Sequence, residues 1–247
     1  MNISIGLQLY TLREETEKDF IGTLEKVVEI GYKGVEFAGY GGISCEKMKT
    51  VLERLGLKAI GSHVAMDTLE SGLDEAIYYN LTIGCPNIVL PCPKCETIDD
   101  FFNAFTTYES IGKRCKEKGL QFCYHNHADE FNTREGEYFL DILFKRTDKD
   151  LVKAEIDTFW VQYAGIDPVQ YIKKYSGRCP LLHIKDMKDM VGKKYTEIGK
   201  GIIDIRGITE VAADIGAEWL IVEQDECEGF ALDSVRISYE NLKRILL

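Results

Sequence analysis

Several things are scarce in this chain of 247 residues, and each scarcity excludes something. Lys and Arg number 30 against 41 Asp and Glu, a net charge of -11 with pI ≈ 5.0. A nucleic-acid or anionic-membrane partner wants a basic face, so neither is expected. No apolar run is long enough to cross a bilayer, and Met1–Glu15 shows no basic segment ahead of a long apolar one. A membrane span and a signal peptide are therefore not expected, and the default location is cytoplasmic. Proline occurs five times, and no Pro/Ser-rich linker, low-complexity stretch or charge block interrupts the chain. There is no early Gly-x-Gly-x-x-Gly turn, which removes the usual reason to expect an open dinucleotide-binding sheet. Histidine occurs four times and tryptophan twice.

What remains is an ordinary globular balance, 45% hydrophobic and 29% charged. The length suits one barrel domain with a substantial core, here residues 1–247. The eight cysteines are expected to be reduced, small core residues. Cys92-Pro-Lys-Cys95 is a lone C-x-x-C pair, weak as a metal or redox motif without a second pair.

Short apolar runs alternate with longer stretches of helical periodicity, the pattern of repeated βα units. Strands are predicted at Ile3–Leu9, Gly34–Phe37, Leu57–Gly61, Asn87–Leu90, Leu120–Tyr124, Val152–Ile156, Leu181–Ile184 and Trp219–Val222. Helices are predicted at Lys18–Ile30, Cys45–Leu55, Gly72–Ile83, Thr97–Lys118, Gly136–Phe144, Pro168–Tyr175, Ile205–Ile215 and Ser234–Ile245. A glycine follows most of the helical stretches, where a left-handed terminal residue is cheap only for Gly. Eight such units make an α/β fold, a single-domain (β/α)8 TIM barrel.

Such a barrel builds its active site at the C-terminal ends of the strands. Polar residues cluster where the apolar runs stop: Gln8 and Tyr10, Glu36, Ser62-His63, His125-Asn126-His127 with Glu130, Glu155 and Asp157, His183 and Lys185, Glu223 and Asp225. All four histidines are among them. Alternation puts His125 with His127, Glu155 with Asp157, His183 with Lys185 and Glu223 with Asp225 on shared faces, about 7 Å apart along the strand. A mixed imidazole–carboxylate set suits Mn²⁺, Zn²⁺, Co²⁺ or Fe²⁺ better than a purely oxygen-seeking ion. The candidate ligands are His125 or His127, then Asp157, His183 and Glu223. Hydrogen-bonded polar caps without a metal are the plainer alternative.

Seven segments, in order over nearly the whole chain, resemble the sugar phosphate isomerase/epimerase family of xylose-isomerase-like barrels, which also includes endonuclease IV. They are Gly-Leu-Gln-Leu-Tyr-Thr-Leu-Arg (6–13), Gly-Tyr-Lys-Gly-Val-Glu (31–36), Tyr-His-Asn-His-Ala-Asp-Glu-Phe (124–131), Glu-Ile-Asp-Thr-Phe-Trp (155–160), Leu-His-Ile-Lys-Asp (182–186), Glu-Ile-Gly-Lys-Gly-Ile-Ile-Asp (197–204) and Ile-Val-Glu-Gln-Asp (221–225). The resemblance implies one divalent metal ion, Mn²⁺, Zn²⁺ or Co²⁺ first and Mg²⁺ or Fe²⁺ next. Its ligands would be Asp157, His183 and Glu223, with the fourth on or near His125. Many members carry Glu at that fourth place. The His-Asn-His variant is similar to a branch with inosose-dehydratase-like proteins, and Glu130 is a candidate for the missing carboxylate.

The implied reaction is isomerisation or epimerisation of a small sugar, keto sugar or polyol through an enediolate. Loss of water from a keto-inositol or keto sugar is the alternative. Glu223 is the expected base. Lys185 is expected to hold or protonate a substrate oxygen, unless it is spent on a salt bridge to Asp186 or Glu155. Glu36, His63 and His127 would orient hydroxyls, and Trp160 would stack on a sugar face or simply form wall. Gly199-Lys200-Gly201 is a weak candidate for an anion. A nuclease is disfavoured by charge and by four histidines; a non-catalytic sugar-binding barrel is the rival from another class. Barrels of this kind often pair, so a homodimer is an open expectation.

Overall fold

A computed structural model describes residues 3–93, 95 and 97–247. Eight strands close into a parallel barrel: β1 (Ser4–Gln8), β2 (Gly34–Phe37), β3 (Lys58–His63), β4 (Asn87–Leu90), β5 (Gln121–His125), β6 (Lys153–Asp157), β7 (Leu181–Ile184) and β8 (Trp219–Val222). Each strand pairs with its neighbours in sequence, and β8 returns to β1 with Ser4 opposite Trp219 and Leu7 opposite Val222. Closure leaves none of these eight strands with an unpaired edge. The (β/α)8 expectation is met, and among the described residues no helix is long and apolar enough to cross a membrane.

The helices lie where their apolar stripes require. In Cys45–Leu55 the buried side chains are Cys45, Met48, Val51 and Leu52, one face of a 3.6-residue period. Ser44 caps it by accepting from Lys47 N, and left-handed Gly56 ends it at φ 62°. Inside the barrel, Ile60, Val89, Cys123, Leu181 and Ile221 form a separate apolar plug with Trp219 packed against it. Gly6 and Gly34 make room for that plug, because a Cβ at Gly6 would stand 2.2 Å from Ile60 Cδ1. Polar side chains begin directly above the plug.

Two predicted helices are in fact broken, and a third is preceded by an extra short one. Lys18–Ile30 splits at Asp19, which is extended and whose carboxylate caps Gly22 N to start Phe20–Ile30. Thr97–Lys118 splits at Ala104 into Ile98–Asn103, opened by a Thr97/Asp100 capping box, and Phe105–Glu117. Gly72 begins Leu73–Ile83, and a short helix, Met66–Ser71, precedes it. Strand β3 runs two residues further than predicted, so Ser62 and His63 are its last two residues. The eight cysteines are free thiols, five of them buried. Cys92 is exposed and Cys95 half-buried, and Lys94 between them lies outside the described residues.

Gly112, inside Phe105–Glu117, shows packing overriding propensity. Alanine there is worth about 1 kcal/mol more than glycine in helix propensity. Yet a Cβ would sit 2.0 Å from the Leu151 carbonyl oxygen, a backbone atom with little freedom to move. Gly112→Ala is expected to destabilise the fold by about 1–3 kcal/mol, as overpacking does. The check is the urea midpoint, and a midpoint shifted upward would contradict this packing.

Candidate active site and metal centre

Three histidines and two glutamates converge just above the plug. The Glu36 Oε2 atom lies 2.9 Å from Gln8 Nε2, 3.1 Å from His63 Nε2 and 2.7 Å from His183 Nε2. The Glu155 Oε2 atom lies 2.9 Å from His63 Nε2, 3.1 Å from His125 Nδ1 and 3.5 Å from His183 Nε2. The barrel register dictates this meeting, for His125 stands opposite Glu155 on the β5–β6 pair and Asp157 opposite His183 on β6–β7. Glu36 and Glu155 are fully buried, and each keeps an Oε1 with no hydrogen-bond donor. That oxygen of Glu36 fits against Gly61, where a Cβ would come within 2.2 Å of it.

A second layer sits nearer the mouth and uses the opposite nitrogens of two of the same rings. His183 Nδ1 is 2.9 Å from Glu223 Oε2, and His125 Nε2 is 3.7 Å from Asp157 Oδ2. Lys185 Nζ spans this layer at 2.9 Å from Asp157 Oδ2, 2.6 Å from Glu223 Oε2 and 2.9 Å from Asp225 Oδ1. The other oxygen of Asp157 accepts from the backbone N–H of Phe159 and Trp160, and Tyr195 OH donates to Asp225. Two overlapping sets therefore have metal-ligand spacing, with donor atoms all within 4.8 Å: His63, His125, Glu155 and His183, and His125, Asp157, His183 and Glu223.

The layers open upward into a cavity of about 500 Å³ bounded by Tyr10, Ala65, Pro91, Cys92 and His127. A larger concavity, about 710 Å³, lies at the other end of the barrel around Leu57, Pro86 and Trp219, away from every histidine.

Charge is tightly balanced here. Burial works against a charged His63 ring, but Glu36 and Glu155 overcome it and raise its pKa from 6.5 to about 10. Burial likewise opposes charge on His183, and Glu155 and Glu223 raise its pKa well above the ordinary value. His125 goes the other way: burial, then the neighbouring His183, hold it neutral. Burial raises the Asp157 carboxyl to about 6, although Lys185 and His183 pull against that rise. Burial would raise Glu223 too, yet Lys185 and His183 bring it well below the usual range.

Some predicted residues stand apart from these layers. Glu130 is buried with both oxygens engaged, one by Tyr124 OH at 2.6 Å and the other by the His127 backbone N–H at 2.9 Å. His127 stands at the wall with its ring centroid 5.7 Å from that of Trp160, whose buried indole N–H has no partner. Lys185 pairs with neither Asp186 nor Glu155 among the ion pairs seen. Asp186 instead accepts from the backbone N–H of Met187, Gly199, Gly201 and Ile203, so the Gly199-Lys200-Gly201 turn wraps an anion of its own chain. Sequence reasoning noted Glu155, Gln8 and Asp225 as strand-end residues without giving them roles. Shared parity with Asp157 was the available signal for Glu155, whereas nothing local marked Tyr195.

The raised His63 pKa has a consequence for the metal-free protein. The stabilisation His63 adds is complete below the unfolded value near 6.5 and is lost as pH rises through about 10. The stability gap between the chelator-treated wild type and His63→Gln is therefore expected to shrink steadily from pH 6.5 to 10. Denaturant titration across that range measures it, and a gap that stays constant or widens contradicts the ion-pair account.

A family model described as a xylose isomerase-like TIM barrel matches residues 24–244. The chain is similar to inosose dehydratase of Lacticaseibacillus casei, 29% identical over 147 residues that cover 53% of this chain and 49% of that protein. It thus spans about half the length of the curated relatives it matches. Among solved structures, a sugar phosphate isomerase/epimerase from Parabacteroides distasonis ATCC 8503 superposes with TM-score 0.83 at 27% identity, covering 97% of both chains. The IOLI protein, solved with a zinc atom, superposes with TM-score 0.80 over 99% of this chain and 98% of its own; at 13% identity that likeness shows the fold alone. A closed eight-stranded barrel, together with a family match running from the first long helix almost to the C-terminus, places the chain in the xylose isomerase-like TIM barrel family.

Proposed function

We propose that this chain is a divalent-metal-dependent isomerase or epimerase of a small keto sugar or polyol. The observation that carries the reading is the rim layer. His125 Nε2, Asp157 Oδ2, His183 Nδ1 and Glu223 Oε2 gather beneath a substrate-sized cavity, with a buried ammonium beside them. The donor set fits a metal such as Zn²⁺, Mn²⁺ or Co²⁺. Asp157 has one oxygen fixed by backbone N–H groups, while Oδ2 has no hydrogen-bond donor of good geometry. Asp225 gives Lys185 a partner outside the ligand set. When bound, a divalent ion supplies Lewis-acid polarisation of adjacent substrate oxygens.

The remaining chemistry belongs to the chain's own side chains. Glu223 is the base for the proton on the carbon next to the carbonyl, since its lowered pKa keeps it ionised. Lys185, kept charged by three carboxylates, holds the substrate oxygen through its ammonium while Glu223 hands the proton back to carbon. His63 and His127 line the cavity and orient hydroxyls, and Trp160 backs the His127 ring as wall. Glu36 lies too deep to touch a substrate, and Glu130 positions the His127 loop rather than moving protons.

Dehydration is the second reading. It is favoured by the inosose dehydratase relatives and by His125 standing where a two-glutamate epimerase would have a second carboxylate. Proton NMR in D₂O on a panel of keto sugars and keto-inositols separates the two. Deuterium at the carbon beside the carbonyl, without net loss of water, is expected. Loss of water assigns a lyase, and no exchange with any substrate leaves a binding barrel.

Glu223→Gln and Asp157→Asn are expected to weaken divalent-metal binding by more than the roughly 10–100-fold that loss of an outer partner costs. Unchanged metal content in both variants contradicts the ligand assignment. Lys185→Met is expected to retain metal while lowering kcat by roughly 10²–10⁴-fold, the scale of acid–base catalysis; kcat within a few-fold of wild type removes Lys185 from the chemistry.

A further inference from the structure

The deeper layer is more than a support for the rim. We propose that it is a second divalent-metal position, held by His63 Nε2, His125 Nδ1, His183 Nε2 and the carboxylates of Glu155 and Glu36. None of these five donor atoms belongs to the rim set, so this position does not depend on the rim assignment.

Three observations carry it. First, the donor atoms are already gathered. The His63, His125 and His183 nitrogens all lie 2.9–3.5 Å from Glu155 Oε2, and His63 and His183 also lie 3.1 and 2.7 Å from Glu36 Oε2. Neighbouring ligands about a metal with bonds near 2.1 Å stand about 3–3.5 Å apart, so little movement is needed. Second, both carboxylates are fully buried and each retains an oxygen with no donor. Buried acceptors are normally satisfied, and two orphans on one cluster ask for a cation. Third, among the described residues the layer holds two carboxylates and no lysine or arginine, whereas at the rim Lys185 already serves Asp157, Glu223 and Asp225.

Three imidazoles and two carboxylates suit Zn²⁺ or Co²⁺ rather than Mg²⁺ or Ca²⁺. The rings of His125 and His183 separate the two positions, each turning one nitrogen down and the other up. Filling both positions makes each ring a bridge that has lost both ring protons. The deep ion has no free face toward the cavity except past His63, the one member of the set that is not fully buried. It would therefore anchor the rim histidines rather than meet substrate.

The test is anomalous diffraction from Co²⁺-soaked crystals of the full chain, with cobalt content measured in four variants. The wild type is expected to show a peak within bonding distance of His63 Nε2 and Glu155 Oε2. His63→Asn and Glu155→Gln should each lose that peak and one cobalt per chain, while Asp157→Asn and Glu223→Gln keep it. A wild-type map with no deep peak overturns the proposal whatever the variants do, and so do His63→Asn and Glu155→Gln proteins that bind cobalt like wild type. A deep peak with none at the rim upholds this site and defeats the rim assignment instead. A rim peak alone does the reverse.

Discussion

The site depends on two imidazole rings held on edge between two tiers of carboxylate. His125 and His183 each present one nitrogen to Glu155 or Glu36 below and the other to Asp157 or Glu223 above. A ring fixed through one nitrogen has its other nitrogen aimed and its tautomer decided, which is what metal-ligating histidine needs. Barrel closure brings the tiers together, because parallel register sets β5 beside β6 and β6 beside β7 with these residues at matching heights. The apolar plug below excludes water from the tiers, and low polarity makes every charge pairing above it stronger.

Much of this was legible in the amino-acid order. The strands announced themselves by short β-branched runs, and the four histidines by standing where those runs stop. Strand alternation put Glu155 behind Asp157, but nothing local said that Glu155 would meet three imidazoles, since His63 comes from β3, across the barrel. The end of β3 was hidden because its apolar run stops at Gly61; Ser62 stays in the strand with its hydroxyl donating to Asn80 in a buried hydrogen bond. The helix breaks at Asp19 and Ala104 were hidden because apolar periodicity continues across them. The Asp19 carboxylate marks the first break with a cap, while no side chain caps the second.

Long-range partners account for the other differences. Tyr195 reaches Asp225, and thereby steadies Lys185, from a two-residue strand, Tyr195–Thr196, that pairs with Asp186–Met187 and carries no motif. Asp186 turns the Gly199–Ile203 segment inward through three of its backbone N–H groups, so that a glycine pair resembling an anion site is already filled. Gly201 tolerates no side chain there, since a Cβ would lie 2.2 Å from Asp186 Oδ1 and 2.3 Å from Met187 O. Glycine at that position reflects close approach to the chain's own carboxylate.

Imidazole nitrogen NMR during zinc titration of ¹⁵N-histidine-labelled protein tests the two-ring arrangement most directly. With zinc added to the metal-free chain, nitrogens of His125 and His183 should move together to metal-bound shifts while His127 stays in place. Shifts confined to His127, or no imidazole shift at saturating zinc, would contradict it.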